Sequence, residues 1–221
     1  MCPGYADALL CDNFDQSPLG ALWSQQSLVA GALTLSSAKA VSSPNALLSV
    51  INANGTSGEG SASLVYTAAR TFSKLRNSYD VYIDQVGQRS AAVGSIYLLD
   101  GLRYYGVYLF VRGGGTAMDI AEDGIIADGG DNITLHSFSQ FPLQTWIRVI
   151  LEVDYGASPT LTLTLQDPPG TAATPVLNAI PIVPTITGTT MSAYAGIDYV
   201  AFPETTGWQV YTDNVVIEAP P

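Results

Sequence analysis

The chain has 221 residues, 47% of them hydrophobic and only 12% charged, with 19 acidic side chains against 8 basic ones and a formal net charge of -11. So few cations exclude a nucleic-acid or anionic-membrane partner, because phosphate contacts need clustered Lys and Arg. No apolar run reaches the roughly 18 residues that a membrane helix needs, so no transmembrane segment is expected.

The start, Met1-Cys2-Pro3-Gly4, reads as what is left after removal of a targeting segment. Cys2 and Cys11 are the only cysteines. As an oxidised pair they would pin an N-terminal arm, residues 1–11, by closing a short loop worth about 2–3 kcal/mol. Such a bond needs an oxidising compartment. The alternative is a lipoprotein anchor at Cys2 that leaves Cys11 free. Either reading places the protein outside the cell, secreted or on the surface.

Strand-like runs then follow one another along the chain. They are Leu9 to Phe14, Ala32 to Leu35, Ala46 to Ile51, Ala62 to Thr67, Tyr79 to Asp84, Ser95 to Leu99 and Tyr104 to Val111. After these come Ala117 to Ala121, Ile133 to Phe138, Trp146 to Asp154, Thr160 to Gln166, Val176 to Ile182, Ala193 to Phe202 and Val210 to Glu218. Gly, Pro, Asn and Asp clusters such as Gly113-Gly114-Gly115 and Asp167-Pro168-Pro169-Gly170 punctuate them. In Thr160 to Gln166 leucine and threonine alternate, so three leucines face one side. Trp146 to Asp154 puts its aliphatic residues at odd positions, and the turn-rich Tyr155 to Pro159 joins the two runs as a hairpin. Ala68 to Leu75 is the best candidate for a short helical turn. No composition break divides the chain. It reads as one all-β domain over residues 1–221, a two-sheet antiparallel β-sandwich.

The two ends carry a family resemblance. Leu10-Cys11-Asp12-Asn13-Phe14-Asp15 with Leu22-Trp23 near the start, and Tyr211-Thr212-Asp213-Asn214-Val215-Val216-Ile217 near the end, resemble the concanavalin A-like lectin and glucanase superfamily. Trp146-Ile147-Arg148-Val149 resembles a strand of laminin-G-like domains. The resemblance implies a jelly roll whose first and last strands are neighbours. It also implies a structural Ca²⁺ on the convex side, held by Asp12, Asn13 and Asp15 at one end and Asp213 at the other; the usual opening ligand is a Glu, where this chain has Asn13. The other reading of Asp12 and Asp15 is an Asx turn leading into Ser17-Pro18-Leu19-Gly20. The acidity of the chain likewise has two readings, Ca²⁺ ligands or plain solubilising charge.

The superfamily's enzymes are recognised by particular carboxylates and imidazoles. Glucanases need two Glu and an Asp alternating on one strand face. In Asp119-Ile120-Ala121-Glu122-Asp123, the nearest match, Glu122 points away from Asp119 and Asp123. Alginate-lyase-like members use Gln and His on one strand and a Tyr opposite. Here Thr134 precedes the sole histidine, His136, in the Gln position, and Asp198 stands where the resemblance expects the Tyr. No catalytic residue is assigned.

Aromatics offer a different chemistry. Flat rings stack on the C–H faces of sugars while polar groups bind their hydroxyls. The chain has 12 Tyr and 6 Phe. In Tyr104 to Val111 the better core face is Tyr105, Val107, Leu109 and Val111, which turns Tyr104 and Tyr108 outward. The same alternation nominates Tyr82, Tyr97, His136, Arg148 and Glu152 as the rest of one groove for a polysaccharide or glycan. The competing reading makes these ordinary cross-strand pairs on a solvated sheet. The expected function is a non-catalytic carbohydrate-binding, lectin-like module of a secreted or surface bacterial protein. The alternatives are a structural or adhesion domain that self-associates through sticky faces, and a polysaccharide lyase or glycoside hydrolase with another motif.

Overall fold

The computed structural model describes residues 5, 8–16, 18–53, 58–70, 72–101, 103–115, 117–125, 131–138, 141–184 and 190–220. Numbered in chain order, the strands form two sheets. The first runs β13 (Thr174–Pro181), β12 (Thr160–Gln166), β11 (Ile147–Asp154), β6 (Lys74–Gln85), β15 (Trp208–Glu218), β4 (Ala46–Ile51) and β3 (Gly31–Ser36), with β1 (Ala8–Asp12) also paired to β15. The second runs β10 (Asp131–Phe138), β9 (Met118–Ile125), β8 (Arg103–Val111), β7 (Ala91–Asp100), β14 (Thr190–Ala201), β5 (Glu59–Ala68) and β2 (Gln25–Val29). Every pairing is antiparallel.

Alternation decides which face of each strand is covered. In β11 the odd residues Ile147, Val149, Leu151 and Val153 are buried and the even ones are half-exposed. The β11–β12 hairpin sets Leu151 opposite Leu163 and Val153 opposite Leu161, so its aliphatic faces coincide. The expected helical turn at Ala68 to Leu75 does not form: Ala68 ends β5, and Lys74 and Leu75 open β6. Among the described residues there is no helix.

The first and last strands are neighbours, Leu10 opposite Ile217 and Asp12 opposite Val215. β15 manages two partners on one side by bending. Trp208 to Thr212 pair with β4, the ladder breaks between Asp213 and Val216, and Val215 to Glu218 then pair with β1. Asn214 supplies the bend in the left-handed region at φ 48°, which Asn tolerates better than most side chains.

The core lies between the sheets. Leu47, Leu75 and Ile83 from one sheet meet Leu64, Ile96, Leu109 and Met118 from the other, with Phe14, Phe141 and Trp208 among the largest buried side chains. Each such side chain contributes roughly 1.5–3 kcal/mol on burial. Tyr79 crosses this layer and donates its hydroxyl to the Val93 carbonyl at 2.6 Å. Gly94 at φ 86° makes room for it: a Cβ there would lie 2.4 Å from the phenol.

Candidate functional site

Ala92, Tyr108 and Ala121 form a small cluster apart from the main core, with Tyr97 and Phe110 packed on it. They therefore sit on the outer face of the second sheet. The register lines up Val65, Tyr194, Ser95, Tyr108, Ala121 and Leu135 in one row across six strands. The adjacent row is Thr67, Ser192, Tyr97, Gly106, Asp123 and Ile133.

The rings on these rows are continuous. Tyr97 lies 6.0 Å from Tyr104, 6.2 Å from Tyr108 and 5.3 Å from Tyr194. Tyr108 lies 5.7 Å from Phe110, which stacks on Tyr199 at 6.4 Å. These separations are those of favourable aromatic pairs. Gly106 makes the centre of the strip. It stands opposite Tyr97, and a Cβ on it would lie 2.4 Å from that ring, so the absence of a side chain lets Tyr97 lie over β8 between Tyr104 and Tyr108. Leu135 and Ile133, 54% and 59% exposed, carry the apolar surface on to the sheet edge.

Carboxylates anchor the hydroxyl ends of the rings. Tyr97 and Ser95 donate to Asp198 Oδ2 at 3.0 and 2.6 Å, and Tyr104 and Tyr108 donate to Asp123 Oδ2 at 3.1 and 3.2 Å. Burial raises the Asp198 carboxyl from its ordinary 3.8 to about 6, against the two hydrogen bonds that favour its charge. Burial likewise holds the phenols of Tyr97 and Tyr108 well above the usual range, and that of Tyr194 at about 12. The rings are therefore neutral donors. Farther along the face Arg112 forks onto Asp119 at 2.6 and 2.8 Å, which keeps that carboxyl below its ordinary value. Asp119 is thus neutralised locally, whereas Asp123 and Asp198 leave the strip acidic. Such a face offers aromatic rings for stacking over a negatively charged layer.

The seven residues nominated from the sequence do not share one groove. Tyr97, Tyr104 and Tyr108 belong to the strip. Tyr82, Arg148 and Glu152 stand on the outer face of the opposite sheet. Tyr82 packs against Trp146 and Tyr211 and takes a 3.1 Å hydrogen bond from Lys39 Nζ. Glu152 is held by Arg76 at 2.6 Å and by Lys74 at 3.5 Å. Arg148 donates to Asp80, Ser78 and the Asn214 carbonyl. His136 faces away from the strip. Alternation on β10 turns it inward, beside Glu122, whose other oxygen accepts the Tyr105 hydroxyl at 2.6 Å. This cluster lines a cleft of about 160 Å³ with Pro181, Ile182 and Val183.

The expected metal ligands are engaged elsewhere. Asp213 accepts from the Val41 and Ser42 amides through one oxygen and from the Ser42 hydroxyl and Asn214 amide through the other. Asp12 accepts from the Phe14 amide and from Trp23 Nε1 at 2.7 Å. Asn13 donates to Asp15, and Asp15 accepts from the Asn45 amide. With hydrogens aimed at these oxygens, the donor set as arranged does not fit Ca²⁺, and among the described residues no three His, Cys, Asp or Glu side chains converge. Cys2 lies outside the described residues. Cys11 is on β1, opposite Val216, and is not a free thiol.

Alternation had also put Phe110 on the outward face of β8. Tyr194, Tyr199, Asp123 and Asp198 were missed, because only the sheet order brings β14 beside β7 and β9 beside β8.

No protein-family model matches the chain, and no curated protein matches it in sequence. Solved structures do. The cellulose induced protein Cip1 superposes with a TM-score of 0.61 at 15% identity, over 96% of this chain and 97% of that one. The CBM2 module of the evolved Dit of Lactobacillus casei BL23 phage J-1 gives 0.52 at 12% identity, over 96% and 95%. The family 7 alginate lyase A1-II′ gives 0.56 at 9% identity, over 82% and 83%. The chain has a jelly-roll β-sandwich fold. At these identities the likeness concerns the fold alone.

Proposed function

We propose that the chain is a non-catalytic carbohydrate-binding module of a secreted or cell-surface protein, and that it seats a neutral polysaccharide along the aromatic strip of the second sheet. The observation that carries this reading is the contiguity of Tyr104, Tyr97, Tyr194, Tyr108, Phe110 and Tyr199 across β8, β7 and β14. A ring-paved outer face, with Tyr97, Tyr104, Phe110 and Tyr194 half-buried, Tyr199 exposed and Tyr108 buried beneath its neighbours, suits a chain of sugars passing over it better than a single buried residue. The negative charge of Asp123 and Asp198 beneath the rings disfavours uronates. The CBM2 module and Cip1 among the structures of like fold are consistent with the reading.

The experiment is depletion of the protein from solution by insoluble or gel-embedded polysaccharides. Cellulose, xylan, starch and a β-1,3-glucan form the neutral set, and alginate and polygalacturonate the acidic set. Retention by at least one neutral polymer and by neither acidic one is expected. Retention by the acidic polymers alone, or by none of the six, overturns the proposal.

A further inference from the structure

On the opposite side of the sandwich, between β15, β11 and the segment that follows β1, lies a cavity of about 770 Å³. That is within the range of small-molecule sites, roughly 300–1,000 Å³. It shares no lining residue with the aromatic strip. Asp80, Arg148 and Asn214 line it together, and Gln16, Pro18, Leu22, Gln166 and Pro169 complete much of the wall.

The polar group is a built one. The Asp80 and Arg148 side chains are 3% and 12% exposed and pair at 3.2 Å. Asn214, at the bend of β15, donates its amide to the second Asp80 oxygen at 2.8 Å and offers its carbonyl to Arg148 at 2.9 Å. A buried ion pair is a poor stabilising device, since apolar side chains of equal volume do as well or better. Here the pair faces a cavity.

The unused valences say what it recognises. Arg148 directs Nη1 to Asp80 and Asn214 and Nη2 to Ser78, which leaves Nε–H and one Nη2–H without an acceptor among the described residues. Asn214 Oδ1 and the Gln16 amide make no hydrogen bond among the described residues, and each Asp80 oxygen keeps a lone pair. Carboxylate, guanidinium and carboxamide together bind vicinal hydroxyls, accepting from one and donating to the next. An anion would meet Asp80 and Asp12, and a cation would meet the guanidinium. Pro18, Leu22 and Pro169 give apolar wall for C–H faces. We infer that this cavity is a second ligand site, for a small neutral polyhydroxyl molecule of the size of a mono- or disaccharide.

The test uses the full chain with the strip disabled by Tyr97→Ala and Tyr199→Ala, so that remaining binding reports the cavity. Cellobiose, maltose, lactose and mannobiose are titrated while backbone amide resonances are followed, with glucuronate and glucosamine as charged controls. At least one neutral disaccharide is expected to move the resonances of Asp80, Arg148 and Asn214, and the charged sugars are not. Ala21→Trp, which puts a large ring on the exposed part of the cavity wall, should weaken binding at least about tenfold, and Gln16→Ala by a smaller factor, each at unchanged melting temperature. Shifts confined to other residues, equal response to the charged sugars, or affinity unchanged in both Ala21→Trp and Gln16→Ala overturn the inference. The polysaccharide assay is repeated with the Ala21→Trp chain, whose strip is intact, so that failure at one site is separable from failure at the other.

Discussion

The two outer faces of this sandwich are made from the same alternation and come to different ends. On the second sheet the outward residues are rings whose hydroxyls point at carboxylates, and few cations stand among them. On the first sheet the outward carboxylates meet cations directly: Asp80 with Arg148, Glu152 with Arg76 and Lys74, and Asp84 with Lys39. A carboxylate answered by a cation has its charge neutralised in place. One answered by a phenol orients the ring and keeps its negative charge. Tyr82 shows the difference, since its ring is covered by a cation, Lys39 Nζ standing 4.4 Å from the centroid.

The largest effect expected from breaking this contrast lies on the ion-paired face. Arg148→Met strands Asp80 in a buried site and should cost about 3–5 kcal/mol in urea denaturation. A loss below about 1 kcal/mol would place that pair among the weak surface bridges.

Next comes the charge beneath the rings. The Asp198 carboxyl is raised to about 6 in the folded protein, so its contribution is fully present below the ordinary value of 3.8 and is lost as pH rises through about 6. The stability of the native protein relative to Asp198→Asn should therefore fall by about 2–3 kcal/mol between pH 4 and pH 7. Asp213, also raised to about 6, titrates the same way in both proteins and cancels in the difference. A constant difference over that range would mean that Asp198 is well solvated.

A smaller effect comes from the centre of the strip. Gly106→Ala pushes the Tyr97 ring from its place over β8 and should weaken polysaccharide binding by about 1–2 kcal/mol, in the range of a lost aromatic anchor. The far-UV spectrum should not change. Undiminished affinity would show that the sugar does not rest on Tyr97.

The smallest effect concerns the expected calcium. Asp12 and Asp213 are already supplied with N–H and O–H donors, so melting curves in calcium and in excess chelator should coincide. A chelator-dependent drop in Tm would show that these side chains rearrange around an ion.

Much of the fold was legible because burial follows a period of two. Each run read as a strand lies on one, and β15 closes on β1 as the resemblance of the two ends implied. β2 was not legible: Gln25-Gln26-Ser27-Leu28-Val29 has no alternation and is an exposed edge strand held by its pairing to β5. The site was legible one strand at a time. The alternation that turned Tyr104 and Tyr108 outward also turned Arg148 and Glu152 outward, and nothing local says from which sheet. Sheet membership is a long-range fact, set by which runs pair, and it divided the nominated groove in two. His136 failed for a related reason: on an edge strand both faces are partly wet, so polarity does not reveal which one looks inward.

The central claim is that the polysaccharide lies along the aromatic strip of the second sheet. It is tested most directly by measuring affinity for the retained neutral polysaccharide with matched Tyr→Ala changes on the two faces. Tyr97→Ala and Tyr199→Ala should each weaken binding about tenfold, while Tyr82→Ala leaves it unchanged. Equal losses from Tyr82→Ala, or none from the other two, would contradict it.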